Sequence, residues 1–241
     1  MATPRFYCPD TVFTLGDKAL LPEKARHHAG RVLRMVAGDT ALLFDGKGNE
    51  ALGPIAFEGK DAWIKVNEIR QSQTESPVDI TLVQALVSPE KLDWIVEKAV
   101  ECGVKRVVVV PAMRSVTKLS GDRLTKRLEH WKDVALSAVS QCGRAVVPAV
   151  EFMPFAKALE LEAQARFILA PGSDKTPKLT DLRSVIFAVG PEGGFDEKEI
   201  ELALDHGWQS ALIGPRVLRT ETAGIVAVTL ANAASGDCQF L

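Results

Sequence analysis

Two segments of the 241-residue chain bring residue types that could do chemistry into close spacing. The first is Val189-Gly190-Pro191-Glu192-Gly193-Gly194-Phe195. Its glycines permit positive φ and a close approach of backbone to a ligand, and Glu192 adds a carboxylate. Just beyond, Asp196 and Glu199 make a D-x-x-E capping box, and the helix start offers unpaired N–H groups. The second is Ile213-Gly214-Pro215-Arg216-Val217-Leu218-Arg219-Thr220-Glu221-Thr222-Ala223, a rigid Gly-Pro turn followed by two arginines and a carboxylate. A cation beside a carboxylate suits stabilisation of a developing anion together with acceptance of a proton. Taken singly, GPEGG fits a tight turn before a helix equally well, and Arg216 and Arg219 fit ordinary ion-pairing arginines. The chain has no G-x-G-x-x-G to mark a conventional dinucleotide site.

The elements around these loops raise their weight. Ser184 to Val189 and Ser210 to Ile213 read as strands leading into the two segments, and Arg166 to Ala170 leads into a third loop, Leu169-Ala170-Pro171-Gly172. Three loops of one kind at strand ends could form one pocket, because ligands in open α/β sheets sit beyond the carboxyl ends of the strands. Upstream, Val78 to Val87 is a strand and Ser88-Pro89 starts a helix with Leu92, Ile95, Val96, Ala99 and Val100 on one face, ending at Gly103. Val104 to Pro111 is an apolar run expected of a strand covered on both faces, and Asp122 to Gln141 is a long helix. The last helix, Thr222 to Ala234, bears Ala223, Gly224, Ala227, Ala231, Ala233 and Ala234, which permit close helix approach to a second copy or to the chain's own sheet. This alternation predicts an α/β fold with a mostly parallel sheet flanked by helices over residues 78–241. Residues 1–70 predict a small β-rich module, with a hairpin about Asp45-Gly46-Lys47-Gly48-Asn49 and a helix from Glu23 to Met35. Residues 71–77, polar and ending in Pro77, read as a linker.

Composition sets limits. Cys8, Cys102, Cys142 and Cys238 form no C-x-x-C pair, and His27, His28, His130 and His206 have no ligand-spaced neighbours, so neither a metal site nor a disulfide framework is expected. The opening MATPRFYCPD lacks the pattern of a secretory signal, no stretch of apolar residues is long enough for a membrane span, and a cytoplasmic location is expected. The net charge of -2 is unevenly spread: residues 105–132 carry eight basic residues against two acids, while 190–237 carry three against eight. A basic surface for phosphate and a solvated helix face are both consistent with that segment.

VGPEGGF at 189–195 followed by IGPRVLRTETA at 213–223 resembles the paired signature of the ribosomal RNA small-subunit methyltransferase E family, within the SPOUT superfamily of knotted methyltransferases. The likeness extends to HHAGRVLRMVAGD (27–39), LFDGKG (43–48), EKAVECGV (97–104), RSV (114–116) and QCGR (141–144), in order along nearly the whole chain. The visible departure is Ile213, where leucine is commoner. The resemblance implies an N-terminal PUA-like RNA-binding β-barrel and a C-terminal domain threaded into a trefoil knot. It also implies a homodimer, no metal, and S-adenosyl-L-methionine as donor, released as S-adenosylhomocysteine. The product would be N3-methyluridine in the decoding region of small-subunit (16S) rRNA, with the assembled 30S subunit as the expected substrate.

Under this resemblance backbone groups of Leu169, Gly190, Ile213 and Leu218 cradle the donor. Pro171, Gly193 and Gly194 shape the loops, and Ala170, Pro191, Gly214, Val217, Thr222 and Ala223 complete the site. Arg219 would stabilise the uracil anion and Glu192 or Glu221 would accept the proton, unless either carboxylate merely fixes Arg219 or the loop. Arg31, Arg34, Arg114, Gln141 and Arg144 are candidate RNA contacts, as are His27 and His28, for which a structural role is the alternative. Tyr7 and Phe6 could stack on a base or pack in the core. Two other functions fit the same residues: methylation of another rRNA or tRNA nucleotide, and a non-catalytic RNA-binding assembly factor.

Overall fold

A computed structural model describes residues 3–173 and 175–238; the remaining residues of the expected domains, 1–2 and 239–241 at the ends and 174 within, lie outside the described set. The chain divides into two compact units, residues up to 75 together with 139–147, and 76–138 together with 148 onward.

In the first unit, β1 (Arg5–Tyr7), β2 (Lys18–Leu20), β3 (Thr40–Phe44), β4 (Asn49–Glu58), β5 (Asp61–Lys65) and β6 (Glu68–Gln71) form one sheet, in the order β1-β3-β4-β5-β2 with β6 on β4. The β3–β4 turn is fixed by Asp45, whose carboxylate accepts from the amides of Lys47 (2.7 Å) and Asn49 (3.1 Å). β4 pairs with β3 and β6 through its first half and with β5 through its second, so the sheet folds over a core that includes Phe6, Cys8, Leu43, Ile55, Ile64 and Val66. Phe6 is thus a core residue, and the half-buried Tyr7 packs on Phe44 with ring centroids 5.5 Å apart. The expected helix from Glu23 to Met35 is shorter: α1 (Glu23–His27) buries no side chain and runs into a π-helical turn, His28–Val32, which the chain leaves at Arg34 with φ 53°. Helices this short draw their stability from a buried face, and only Ala29 of the turn supplies one.

Residues 71–77 are not a free linker. Gln71 ends β6, the Ser72 amide donates to the Gly48 carbonyl, and Glu75 is an ion-pair partner. That partner is Arg144, expected as a phosphate contact but 3% exposed: its guanidinium binds the Glu75 carboxylate, with Nη2 to Oε2 at 2.6 Å, while its carbonyl accepts from Arg5 Nη2 at 2.8 Å. The Val147 amide donates to the Gly46 carbonyl and the Gly48 amide to that of Ala145, which explains why 139–147 belongs with a sheet a hundred residues earlier.

In the second unit, β7 (Asp79–Ala85), α2 (Pro89–Glu101), β8 (Arg106–Val110), α3 (Gly121–Cys142), β9 (Ala149–Phe152), α4 (Phe155–Ala158), β10 (Ala165–Leu169), β11 (Ser184–Val189), α5 (Glu197–Asp205), β12 (Gln209–Ala211) and α6 (Thr220–Ser235) follow one another. The sheet is wholly parallel in the order β12-β10-β11-β7-β8-β9. β8 and β11 are buried after their first residue, as the unbroken apolar runs of covered parallel strands require. α2 buries the five apolar residues of its predicted face; its N-cap, Ser88, makes no side-chain cap, leaving Pro89 as the start signal. β9 and α4 carry too little apolar pattern to have been expected. Of the six small residues of α6, Gly224, Ala227 and Ala231 are buried within the chain, and a Cβ on Gly224 would stand 3.2 Å from Leu82 of β7. After β10 the chain is bonded to the end of β12, by Ser173 Oγ to the Ser210 carbonyl (3.0 Å) and by the Leu212 amide to the Lys175 carbonyl (2.8 Å). Among the described residues no helix is long and apolar enough to cross a membrane, and no three His, Cys, Asp or Glu side chains cluster as metal ligands.

Because Arg144 is sealed against Glu75, Arg144→Ala is expected to lower stability by about 3 kcal/mol, the scale of breaking a buried ion pair. Urea unfolding checks this; wild-type stability with weakened RNA binding would return Arg144 to the phosphate contacts.

Candidate active site

The carboxyl ends of β10, β11 and β12 open into a cavity of about 450 Å³, within the range of small-molecule sites. Its walls come from the three Gly/Pro loops and the first turn of α6, and one residue, Lys91, comes from the first turn of α2. Of the expected donor contacts, Leu169, Ala170 and Pro171, then Gly190, Pro191 and Gly194, then Ile213, Val217, Leu218 and Ala223 line it, whereas Gly193, Gly214 and Thr222 do not. Arg219, Glu192 and Glu221 all do. Val189, Ala211, Leu212 and Thr220 extend the lining, and Arg216 stands at its edge.

Backbone geometry explains the first loop. A Cβ on Gly190 would lie 2.7 Å from the Phe195 amide nitrogen and 2.9 Å from the Gly194 carbonyl carbon, so any side chain there collides with the loop's own return. Gly194 holds φ 70°. Gly193 is less constrained, since its Cβ would make ordinary contact, 3.5 Å, with Arg114. Arg114 itself is a clamp: Nη1 donates to the Gly193 carbonyl and Nη2 to Asp196 Oδ2, both at 3.1 Å. The capping box is present, and its Glu199 also accepts from the Met113 amide at 2.8 Å. The Lys198 amide, and after it Arg114, hold the Asp196 carboxyl below its ordinary range.

A buried chain of hydrogen bonds anchors the cavity floor. Gln84 of β7 donates through Nε2 to Thr220 Oγ1 (3.0 Å), and Thr220 donates to the Gly190 carbonyl (2.6 Å). Sequence reasoning missed Gln84, whose one signal is a polar residue in an apolar strand.

Five charged residues line the cavity: Lys91, Glu192, Arg216, Arg219 and Glu221. Lys91 Nζ donates to Glu192 Oε1 at 2.8 Å, and this bond holds the Glu192 carboxyl below the ordinary carboxylate range. Arg219, with 84% of its side chain exposed, stands 4.0 Å from Glu221 Oε1. Glu221 Oε2 is buried and has no hydrogen-bond partner among the described residues. Among the candidate RNA residues, Arg31, Arg34, His27, His28 and Gln141 are exposed, His28 edge-on to Phe6. The basic segment 105–132 is partly neutralised: Lys105, Arg106, Arg114, Arg127 and Lys132 are ion-paired, while Lys118, Arg123 and Lys126 have no ion pair among the described residues.

Comparison with known proteins agrees with this architecture. A family model described as RNA methyltransferase domain matches residues 74–232, and one described as RNA methyltransferase PUA domain matches 21–65. Fold and site therefore define an RNA methyltransferase domain with the SPOUT fold, joined to a PUA domain. The chain is 30% identical, over 84% of its length and 85% of the relative's, to ribosomal RNA small subunit methyltransferase E of Bacillus subtilis (strain 168). A protein of Legionella pneumophila solved with the bound cofactor SAM is 31% identical, with a TM-score of 0.89 over 97% of this chain and 98% of that one. Ribosomal RNA small subunit methyltransferase E of Neisseria gonorrhoeae, bound to S-adenosyl methionine, is 32% identical with a TM-score of 0.85 over 96% and 98%. The chain belongs to the ribosomal RNA small subunit methyltransferase E family.

Gly190→Ala is expected to cost about 1–3 kcal/mol through overpacking, whereas Gly193→Ala should change stability by less than about 0.5 kcal/mol. Chemical unfolding of both variants checks the contrast, and equal losses would mean that the loop does not return on itself as described.

Proposed function

We propose that the protein transfers a methyl group from S-adenosyl-L-methionine to N3 of one uridine in the decoding region of 16S rRNA, acting on the 30S subunit as a cytoplasmic homodimer. The observation that carries this reading is the strand-end cavity lined by three cations, Lys91, Arg216 and Arg219, and two carboxylates, Glu192 and Glu221. The residues fit the donor. Leu169, Pro171, Ile213 and Leu218 offer apolar walls for an adenine ring, and the unpartnered Glu221 Oε2 suits a cationic ligand group. Leu169, Gly190, Ile213 and Leu218 would hold the donor through their backbones. When bound, S-adenosylmethionine supplies an electrophilic methyl on a positively charged sulfur and leaves as S-adenosylhomocysteine.

The chain's own work is to position the acceptor and manage its proton. Uracil N3 lies between two carbonyl groups and carries a hydrogen, so its lone pair becomes nucleophilic as that proton leaves. Arg219, exposed at the rim, is placed to receive charge accumulating on a carbonyl oxygen, and Glu221 steadies it from 4.0 Å. Glu192, kept ionised by Lys91, is the proton acceptor. In the first unit Arg31 and Arg34 would hold phosphates, since both are exposed and neither has an ion pair among the described residues. For the homodimer, support comes from apolar residues left exposed on packed helices, Trp94 of α2 and Leu230 of α6.

Calorimetry should give saturable binding of S-adenosylhomocysteine by the wild-type protein; no binding would remove the donor from the account. Arg219→Ala should keep RNA affinity while the single-turnover rate falls by about 10²–10³, the scale of losing one preorganised donor. Arg31→Ala and Arg34→Ala should each flatten the salt dependence of RNA binding by about 0.7–0.9 log units per log unit of salt, with donor affinity unchanged. Lost RNA binding at an unchanged rate in Arg219→Ala would instead place Arg219 among the phosphate contacts.

A further inference from the structure

Lys91 belongs to none of the three Gly/Pro loops and comes from a different part of the chain, yet it lines the cavity. It sits in the first turn of α2, follows the strand next to β11, and donates at 2.8 Å to Glu192 of the loop that β11 feeds. Glu221, Arg219 and Arg216 line the same cavity. A carboxylate bonded to an ammonium is ionised at neutral pH but is a weak base, and alone it is poorly matched to a ring N–H as weakly acidic as that of uracil. The pairing becomes useful if the lysine's charge is needed elsewhere once the proton has moved.

We propose that Lys91 is a catalytic residue of the methyl transfer, passing its hydrogen bond from Glu192 to a carbonyl oxygen of the acceptor uracil as Glu192 takes the N3 proton. The inference rests on the uracil reading above and assigns Lys91 a role beside Arg219 in that site. In the step, the N3–H bond breaks, its proton goes to a Glu192 carboxylate oxygen, and the electron pair remains on N3 and spreads onto the two flanking carbonyl oxygens. Glu192 is then neutral and no longer competes for Lys91. Lys91 and Arg219, from α2 and from the N-cap of α6, each have a carbonyl oxygen to satisfy. The N3 pair then forms the bond to the methyl carbon while the sulfur–methyl bond breaks and its electrons return to sulfur. Glu192 afterwards releases its proton to solvent, which reaches it because the residue is exposed. Two cations flanking a ring nitrogen between two carbonyls would also select uracil over cytosine, whose amino group would meet one of them donor to donor.

The test uses the full-length protein and 30S subunits reconstituted on two 16S rRNAs, one normal and one transcribed with 5-fluorouridine in place of uridine, whose N3 proton is more acidic. Lys91→Met should slow single-turnover formation of N3-methyluridine on normal RNA by on the order of 10²-fold, with S-adenosylhomocysteine affinity intact. On the fluorinated RNA the loss should shrink by about tenfold, because an acceptor that ionises more readily needs the missing cation less. Lys91→Arg, which keeps the charge and guards against a folding artefact, should stay within about tenfold of wild type on both RNAs. An unchanged rate in Lys91→Met, or an equal loss on both RNAs, overturns the proposal and leaves Lys91 as a prop for the 190–194 loop. If the wild-type protein forms neither N3-methyluridine in the normal RNA nor N3-methyl-5-fluorouridine in the fluorinated one, the functional reading fails, and this inference with it.

Discussion

The Thr220 hydroxyl is the contact on which the rest of the site depends. It donates to the Gly190 carbonyl and accepts from Gln84, tying the start of α6 to β7 and to the loop leaving β11. Thr220 is 6% exposed and Gln84 0%, so water does not compete. Losing one partner would strand buried polar groups at a cost of about 1–3 kcal/mol. Gly224, one turn further along α6, lets the helix approach Leu82 closely enough for this bond to form. The position of Arg219 and Glu221 relative to the glycine loop follows from it, since both flank Thr220 in the chain.

Around that anchor the loop is held from its other side. Arg114 bonds the Gly193 carbonyl and the capping aspartate, and Glu199 joins the same helix start to the Met113 backbone. Groups held this way need little reorganisation when charge develops nearby, which is where electrostatic stabilisation gains its strength. Arg219 is more exposed than these groups, with 84% of its side chain accessible against 46% for Arg114.

Much of this was legible in the sequence where the signal is local. β8 and β11 are unbroken apolar runs, the D-x-x-E capping box forms as spaced, and the three Gly/Pro loops meet because they end neighbouring parallel strands. What escaped is set by partners far away in the chain. Lys91 could be placed only once β7 was known to lie beside β11, and its bond to Glu192 spans 101 positions. Arg144 looked like a free arginine because Glu75, which takes it up, is 69 residues away. The helix expected over Glu23 to Met35 is helical from Glu23 to Val32, as α1 and then a π-helical turn, with Ala29 the buried residue of that turn. Of the small residues of α6, open in the sequence to a second copy or to the chain's own sheet, Gly224, Ala227 and Ala231 are buried within the chain.

The central claim is that this cavity delivers a methyl group to a uracil ring nitrogen of small-subunit RNA. The most direct measurement is to incubate the protein with 30S subunits and S-adenosylmethionine carrying an isotopically labelled methyl, digest the RNA to nucleosides, and find the label by mass spectrometry. The account predicts label in N3-methyluridine at one position of 16S rRNA. Label on a ribose 2′-hydroxyl or another base, or none in RNA while the donor still binds, would contradict it.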